Sequence, residues 1–147
     1  MAEAILGGIL KSNVTQPQNV FTYPRRAERR KHLESTYEIN CVPSNAEVVM
    51  KSEIIFLSVK PNQMSDILKE IGPFLTERHL LISIAAGFNI DSISNSLEEY
   101  YSEEGSSEEH PFQIRTIRTM PNLPALVGDG ATPYTLNQAA KESLEDN

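Results

Sequence analysis

The chain has 147 residues, of which 39% are hydrophobic and 22% charged, and it carries a net charge of −7. This composition is typical of a globular domain with its own core, and no run approaches the ~20 apolar residues of a membrane-spanning helix. The acidity is concentrated in residues 98–109, which hold six glutamates and no lysine or arginine. The sequence shows no basic face of the kind that nucleic-acid-binding proteins usually have, so it does not predict nucleic-acid binding.

Hydrophobic patterning alternates between strand-like and helix-like segments. Strands alternating with helices predict an α/β fold with a mainly parallel sheet, and the two most apolar strands, 53–59 and 79–84, are expected to be covered on both faces. In chain order we predict a helix over 2–12, a strand over 19–23, a basic helix over 26–37, strands over 39–42 and 53–59, a helix over 64–75, a strand over 79–84, a helix over 90–97, a strand over 114–119 and a short helix within 137–147.

The first predicted helix is rich in small residues and has no strand in front of it. In a dinucleotide-binding fold, a strand and a glycine-rich turn precede such a helix, whose N-terminus then receives the pyrophosphate. We therefore expect a doubly wound, Rossmann-like parallel sheet whose first strand is missing. Strands 19–23 and 54–59 should flank a gap at that position, and nucleotide binding by this chain should be weak.

Two short motifs follow the carboxyl ends of predicted strands, where open α/β sheets bind their ligands. Lys60-Pro61 ends one strand, and Ala85-Ala86-Gly87 follows the next with almost no side chain, which lets a ring or a ribose approach the backbone. The alternatives are a strand terminator with a solvated lysine and a tight turn. Because both motifs occur at carboxyl ends, a cofactor cleft is favoured.

Arg25 and Arg26 follow the first predicted strand, in the loop that meets the adenosine ribose in this fold. Arginine suits a 2′-phosphate, so NADP is preferred over NAD. The alternative is a solvated basic helix face, because residues 29–31 are also basic. Asn45 is expected to be the N-cap of a helix over 46–50.

The single cysteine, Cys41, excludes an internal disulfide and favours a reducing compartment. We interpret it as a buried, inert thiol. Without a secretory signal, the cytoplasm is expected, with the mitochondrion as the alternative. The three histidines, His32, His79 and His110, show neither metal spacing nor a catalytic dyad.

Four segments resemble pyrroline-5-carboxylate reductases in order and with family-like spacing. They are residues 1–5 (MAEAI), 58–61 (SVKP), 82–87 (ISIAAG) and 118–132 (RTMPNLPALVGDGAT). Leu123 departs from the family, which has a threonine there. The resemblance places Asn45 at the adenosine half of the cofactor. The cofactor-binding residues expected from motifs and resemblance together are Arg25, Arg26, Asn45, Ser58, Val59, Lys60, Pro61, Ile84, Ala85 and Ala86.

The resemblance implies hydride transfer from NAD(P)H to the C=N bond of 1-pyrroline-5-carboxylate, which gives proline. It divides the chain into a partial NAD(P)-binding domain, 1–135, with an acidic loop over 102–111, and a tail, 136–147, that leads towards a C-terminal helical domain. In the family that domain forms the homo-oligomer and supplies the catalytic threonine. We expect no catalytic residue and no activity in this chain alone. A related NADP-dependent reductase, of the 3-hydroxyacid or coenzyme F420 type, and a non-catalytic product are the alternatives.

Overall fold

The computed structural model describes residues 1–103, 113–122 and 131–145. Every predicted segment in the described part is present, although the strands are shorter than expected. The helices are α1 (Ala2–Lys11), α2 (Ala27–Tyr37), α3 (Asn45–Met50), α4 (Met64–Ile71), α5 (Ile90–Glu103) and α6 (Gln138–Glu145). The strands are β1 (Phe21–Thr22), β2 (Asn40–Cys41), β3 (Ile54–Leu57), β4 (Leu80–Ser83), β5 (Arg115–Thr119) and β6 (Tyr134–Leu136).

The strands form two sheets. One holds β1 and β2, which are parallel, and the other has the order β3-β4-β5-β6, in which only β6 is antiparallel to its neighbour. No strand of the described residues pairs with β1 and β3 on their other edges. Strands β1 and β3 are the two that were expected to flank the position of the missing first strand. The α/β fold with a mainly parallel sheet is as predicted.

The core lies between the larger sheet and helices α3, α4 and α5. Helix α4 contributes the apolar stripe that its sequence predicts, with Met64, Ile67, Leu68 and Ile71 all buried. Alternate residues of the strands point to this side, because side chains along a strand alternate between its faces. From the strands and the other elements the core receives Val49, Ile55, Leu57, Leu75, Leu81, Ala85, Ile93, Leu97 and Ile114.

The opposite face of the larger sheet is covered only in part. Helix α1 and the end of α6 enclose a cavity of about 600 Å³ there, over the middle of β3, β4 and β5. Helices on both faces make the sheet doubly wound. The prediction that residues 53–59 are covered on both faces is wrong for β3, because Ile54 and Phe56 remain 56% and 40% exposed. None of the described strands pairs with β3 at its outer edge, which leaves both side chains accessible from that side.

The segment after residue 130 holds an element that the sequence did not predict. Strand β6 pairs antiparallel with β5, and Asn137 then fixes the chain by accepting a hydrogen bond from the Thr116 N–H (3.0 Å) and donating one to the Ile114 carbonyl (2.8 Å). The same side-chain oxygen caps the start of α6 through the Ala140 N–H. The predicted short helix is confirmed as α6, and it packs on β5.

Candidate functional site

The carboxyl ends of β3 and β4 open next to each other. The two strands are parallel and in register, with Leu57 beside Ser83, so the chain leaves the sheet at neighbouring points after residues 57 and 83. Two of the predicted site segments, Ser58–Pro61 and Ile84–Ala86, begin there. The structure thus brings these two groups of residues to one edge of the sheet.

The loop after β3 is stiff and presents a lysine to solvent. Pro61 begins a short 3-10 turn, in which the Gln63 N–H donates to the Lys60 carbonyl over 2.9 Å. The proline fixes the backbone where the strand ends. Lys60 is exposed, and so is Ser58, whereas Val59 is half-buried against the core. Pro61 therefore ends the strand as predicted, and Lys60 beside it is an exposed cation.

The loop after β4 leaves open space beside its backbone. The buried Ser83 hydroxyl accepts the Ala85 N–H (3.3 Å), which turns the chain at the end of the strand. Ala85 is buried, but Ala86 and Gly87 are exposed, and Gly87 has a φ of +77°. A Cβ atom built at Gly87 would meet no other atom within 4 Å. The loop therefore has room for a flat group to approach its backbone.

Strand β5 holds this loop in place through two side chains. The Arg118 Nε–H donates to the Phe88 carbonyl (3.2 Å), and the Thr119 hydroxyl donates to the Ser83 carbonyl (3.4 Å). The sequence placed Arg118 in a family-like segment but assigned no role to it. Its contact lies 30 residues away along the chain, so no local pattern could have shown it.

Arg25 and Arg26 follow the carboxyl end of β1, which belongs to the smaller sheet. Both are exposed, and Arg26 is the N-cap residue of α2. Among the described residues neither has an ion pair. They follow a strand of the smaller sheet, whereas Lys60 and Ala86 follow strands of the larger one, so the structure places the two groups of predicted residues at the ends of different sheets.

Another part of the basic helix α2 is neutralised by Glu3 of α1. The Glu3 carboxylate accepts hydrogen bonds from Arg29 (2.7 Å), His32 (2.8 Å) and the Tyr37 hydroxyl (3.1 Å). The bond from His32, followed by that from Arg29, lowers the pKa of Glu3 from 4.5 to about 2, and burial raises the pKa of Tyr37. The sequence did not predict this cluster, because the three residues that bond to Glu3 lie 26 to 34 residues away from it along the chain.

Acidification is expected to loosen the contact between α1 and α2. Because folding lowers the pKa of Glu3 to about 2, its stabilisation is fully present above pH 4.5 and is lost as the pH falls through about 2. An NMR titration of the side-chain carboxyl carbon should show this low midpoint. The substitution Glu3→Gln should abolish the pH dependence of the contact between α1 and α2. The control substitution Glu28→Gln, at an exposed residue, should leave that pH dependence unchanged. A Glu3 midpoint at 4.5 would contradict the cluster.

Two predictions about single residues need correction. Asn45 is not the N-cap of α3: Ser44 is, since its hydroxyl accepts the Glu47 N–H (3.2 Å), and helix α3 begins at Asn45 itself. The Asn45 amide instead donates to Glu70 of α4 (3.0 Å). Cys41 is half-buried rather than buried, although burial, and then Glu34, raises the pKa of its thiol as expected for an inert cysteine.

Some expectations lie outside the described residues. They concern Leu123 and most of the acidic loop, of which only the first residues, 102 and 103, fall in the described range, as the end of α5. In the part of the chain that the structure describes, no three acidic, histidine or cysteine side chains form a group that could hold a metal ion. No helix in that part is long and apolar enough to cross a membrane.

Comparison with known families identifies this arrangement. The family described as NADP oxidoreductase, coenzyme F420-dependent, matches residues 1–87, which is more than half of the chain. The chain belongs to this family. The match includes α1, the exposed arginines, both loops of the candidate site and the glycine at residue 87.

Curated relatives of this family member are named pyrroline-5-carboxylate reductase. The protein of Escherichia coli is 36% identical over 93% of this chain and 46% of its own length. That of Glycine max is 33% identical over 97% of this chain and 47% of its own length. The chain therefore spans about half the length of the curated relatives it matches.

Solved structures show the same fold. A pyrroline-5-carboxylate reductase from Coxiella burnetii has a TM-score of 0.81 at 22% identity and covers 99% of this chain and 49% of its own. A pyrroline carboxylate reductase from Plasmodium falciparum, solved with NADP bound, has a TM-score of 0.73 at 27% identity over 98% of this chain and 48% of its own. The recognised resemblance is thus confirmed.

Proposed function

We propose that this chain is the cofactor-binding part of a pyrroline-5-carboxylate reductase and that it binds NADP(H) along the carboxyl edge of its sheet. The observation that carries the proposal is the exposed loop at Ala86 and Gly87, where a Cβ at Gly87 would meet no atom within 4 Å, next to the exposed Lys60 after the neighbouring strand. Such edges are where open α/β sheets bind nucleotides. The names of the relatives, and the NADP in the Plasmodium falciparum structure, support the choice of cofactor.

The described residues fit this group in two respects. A Cβ at Gly87 would meet no atom within 4 Å, and Ala86 has only a methyl side chain, so these two residues leave the backbone accessible to a planar ring. Three cations, Arg25, Arg26 and Lys60, are exposed at strand ends and complement a phosphate-rich ligand. We assign Arg25 and Arg26 to the 2′-phosphate, Asn45 to the adenosine half, and Ser58–Pro61 with Ile84–Ala86 to the nicotinamide half.

In the proposed reaction, bound NADPH supplies the hydride that reduces the C=N bond of 1-pyrroline-5-carboxylate to give proline. The residues of this chain bind and orient. Ser83, Arg118 and Thr119 hold the loop against which the ring would rest. A fixed loop matters because a misplacement of about 1 Å can cost roughly a hundredfold in rate.

The proposal extends to the protein's setting in the cell. We infer a role in proline biosynthesis in the cytoplasm, with the mitochondrion as the alternative. Homo-oligomers are proposed on the same family basis. The half-buried Cys41, with its raised thiol pKa, is consistent with a reducing compartment but does not select between the two.

The proposal is tested by an NMR titration of the chain with NADPH. The amide signals of Ala86, Gly87 and Lys60 are expected to shift together and to saturate in a single binding curve. A titration with 1-pyrroline-5-carboxylate alone serves as the control and should leave these amides unmoved. Unchanged signals at both loops up to millimolar NADPH would contradict cofactor binding at this edge.

Removing both arginines is expected to narrow the preference for NADPH over NADH. Each charge-assisted hydrogen bond to a phosphate is worth about 1.5–3 kcal/mol at best, and exposure reduces this, so Arg25→Ala with Arg26→Ala should reduce the affinity ratio by about tenfold. The measurement is a pair of titrations for each variant. Lys31→Ala, an exposed cation of the same helix, should leave the ratio unchanged. An unaltered ratio in the double variant would remove both arginines from the site.

A second candidate is an oxidoreductase that uses coenzyme F420, which the description of the matching family names. The names of the curated relatives favour the pyrroline substrate. The two are separated by titrating the chain with NADPH and with coenzyme F420 in parallel. Shifts of the Ala86 and Gly87 amides with coenzyme F420 alone would favour the second candidate.

A further inference from the structure

The side chain of Asn45 is held by a residue of another helix. Asn45 is the first residue of α3, but Ser44 caps that helix, so the Asn45 amide is free to take another partner. It donates to the Glu70 carboxylate of α4 over 3.0 Å. Helices α3 and α4 also pack against each other, and Val49 of α3 is buried in the core. The positions of the two helices therefore do not depend on this one bond.

The Glu70 carboxylate decides which way the Asn45 amide faces. A carboxylate only accepts hydrogen bonds, whereas an amide has a donating NH2 group and an accepting oxygen. The NH2 group of Asn45 must therefore face Glu70, and its Oδ1 points in another direction. Among the described residues, no donor bonds to that oxygen. Asn45, which is half-buried, thus offers a hydrogen-bond acceptor at the start of α3.

Asn45 lies at the same edge of the smaller sheet as the two exposed arginines. Strands β1 and β2 are parallel and in register, with Thr22 beside Cys41. The loop after β1 carries Arg25 and Arg26, and the loop after β2 leads to Asn45. Loops that follow neighbouring parallel strands meet at one edge of a sheet. In a nucleotide the base is joined to the ribose, so a base beside a 2′-phosphate that the arginines hold would lie near Asn45.

We propose that Glu70 is a positioning residue, which turns the Asn45 amide so that its Oδ1 accepts a hydrogen bond from the amino group of an adenine base. This inference rests on the proposed function, which assigns the arginines and Asn45 to the adenosine half of the cofactor. The amino group of adenine donates and therefore matches this acceptor. Hypoxanthine has a carbonyl oxygen at the same place, so two acceptors would face each other. Glu70 thus selects adenine without touching it.

The test uses the adenosine half of NADP alone. Adenosine 2′,5′-bisphosphate and inosine 2′,5′-bisphosphate carry the same phosphates and differ only in the base, which is adenine in one and hypoxanthine in the other. The whole chain is titrated with each, and the amide signals of Arg25, Arg26 and Asn45 are followed by NMR. The adenosine compound should bind about fivefold more tightly, because the inosine compound loses one hydrogen bond and leaves the acceptor unpaired. Equal affinities in the original chain would overturn the proposal.

The variant Glu70→Lys replaces an acceptor with a donor. A lysine ammonium only donates, so it attracts the Asn45 oxygen and turns the NH2 group towards the ligand. The preference should then fall to within about twofold or change in favour of the inosine compound. Asp66→Lys is the matched control, since it makes the same change of charge at an exposed residue one turn earlier on α4, and it should keep the original preference. The amide signals of Leu81 and Ile93, in the core, report that each variant is folded.

A third compound separates the base from the ribose. 3′-Deoxyadenosine 2′,5′-bisphosphate lacks the ribose 3′-hydroxyl but keeps the adenine, and it should bind the original chain as tightly as the adenosine compound. A loss of about fivefold with this compound, without any preference between the two bases, would place the Asn45 oxygen on the ribose and overturn the proposal.

Failure of this inference differs from failure of the proposed function. If the arginine amides shift with these compounds but Glu70→Lys keeps the original preference for adenine, Glu70 only ties α3 to α4, and the positioning role is wrong while the cofactor site stands. If the arginine amides stay unmoved by all three compounds, and the loop after β4 stays unmoved by NADPH, the proposed function itself is contradicted, and the role of Glu70 falls with it.

Discussion

Replacing His79 with leucine is expected to lower the free energy of unfolding by about 1–3 kcal/mol. The His79 ring is fully buried. Its Nδ1 accepts the Thr76 N–H over 2.8 Å, and its Nε2 lies 3.3 Å from the Val49 carbonyl, to which it donates. Leucine fills a similar volume but leaves the Thr76 N–H without its ring acceptor and removes one donor from the Val49 carbonyl, which still accepts the Ser52 N–H (3.2 Å). Urea denaturation followed by circular dichroism measures the change.

Two further variants test whether hydrogen bonding is the cause. His79→Asn offers an oxygen to the Thr76 N–H and should recover part of the loss, because that N–H regains an acceptor. Glu77→Ala, at an exposed neighbour, should stay within about 0.5 kcal/mol of the original chain. A leucine variant as stable as the original would mean that water or a shifted backbone replaces the hydrogen bonds of the His79 ring.

His79 also shows where the sequence stops being informative. It was read as one of three scattered histidines without a role, and that reading could not have been improved locally. Its acceptor, Val49, is 30 residues away and belongs to α3. The histidine joins the turn before β4 to the end of that helix. Such a link is a property of the tertiary structure, since no spacing along the chain encodes it.

The helices and parallel strands could be predicted because their signal is local. Met64, Ile67, Leu68 and Ile71 recur at helical spacing, and all four are buried. Strand β6 gave no such signal. It has only three residues, Tyr134 is exposed, and its place depends on pairing with β5 and on the anchor at Asn137. Its formation is decided by the neighbour rather than by its own pattern.

The loops of the site were predictable for a geometric reason. A motif after one parallel strand and a motif after the next must meet at the same edge, so Lys60 and Ala86 could be grouped without coordinates. The supports were not predictable. Arg118 and Thr119 reach the loop after β4 from a different strand. The N-cap of α3 is Ser44 rather than the predicted Asn45, and the sequence could not separate the two because both residue types suit that position.

Replacing Gly87 with valine is expected to weaken NADPH binding by about tenfold or more. The glycine has a φ of +77°, a conformation that costs a side-chain-bearing residue roughly 1–2 kcal/mol and a β-branched residue more. No atom lies within 4 Å of an added Cβ, so the first atom of the new side chain has open space around it. The loop should shift its backbone, or the side chain should fill the space that we assign to the cofactor. The measurement is the NMR titration with NADPH.

Asparagine at the same position separates these two causes. Asn tolerates the left-handed region, so Gly87→Asn should keep the backbone and lose affinity only through the added side chain. Because the position is exposed and open, the free energy of unfolding should fall by no more than about 3 kcal/mol in either variant. If valine and asparagine weaken binding equally, filled space is the cause. If only valine does, the cause is the backbone. If neither does, the loop after β4 does not contact the cofactor, and the proposed site must lie elsewhere on the sheet edge.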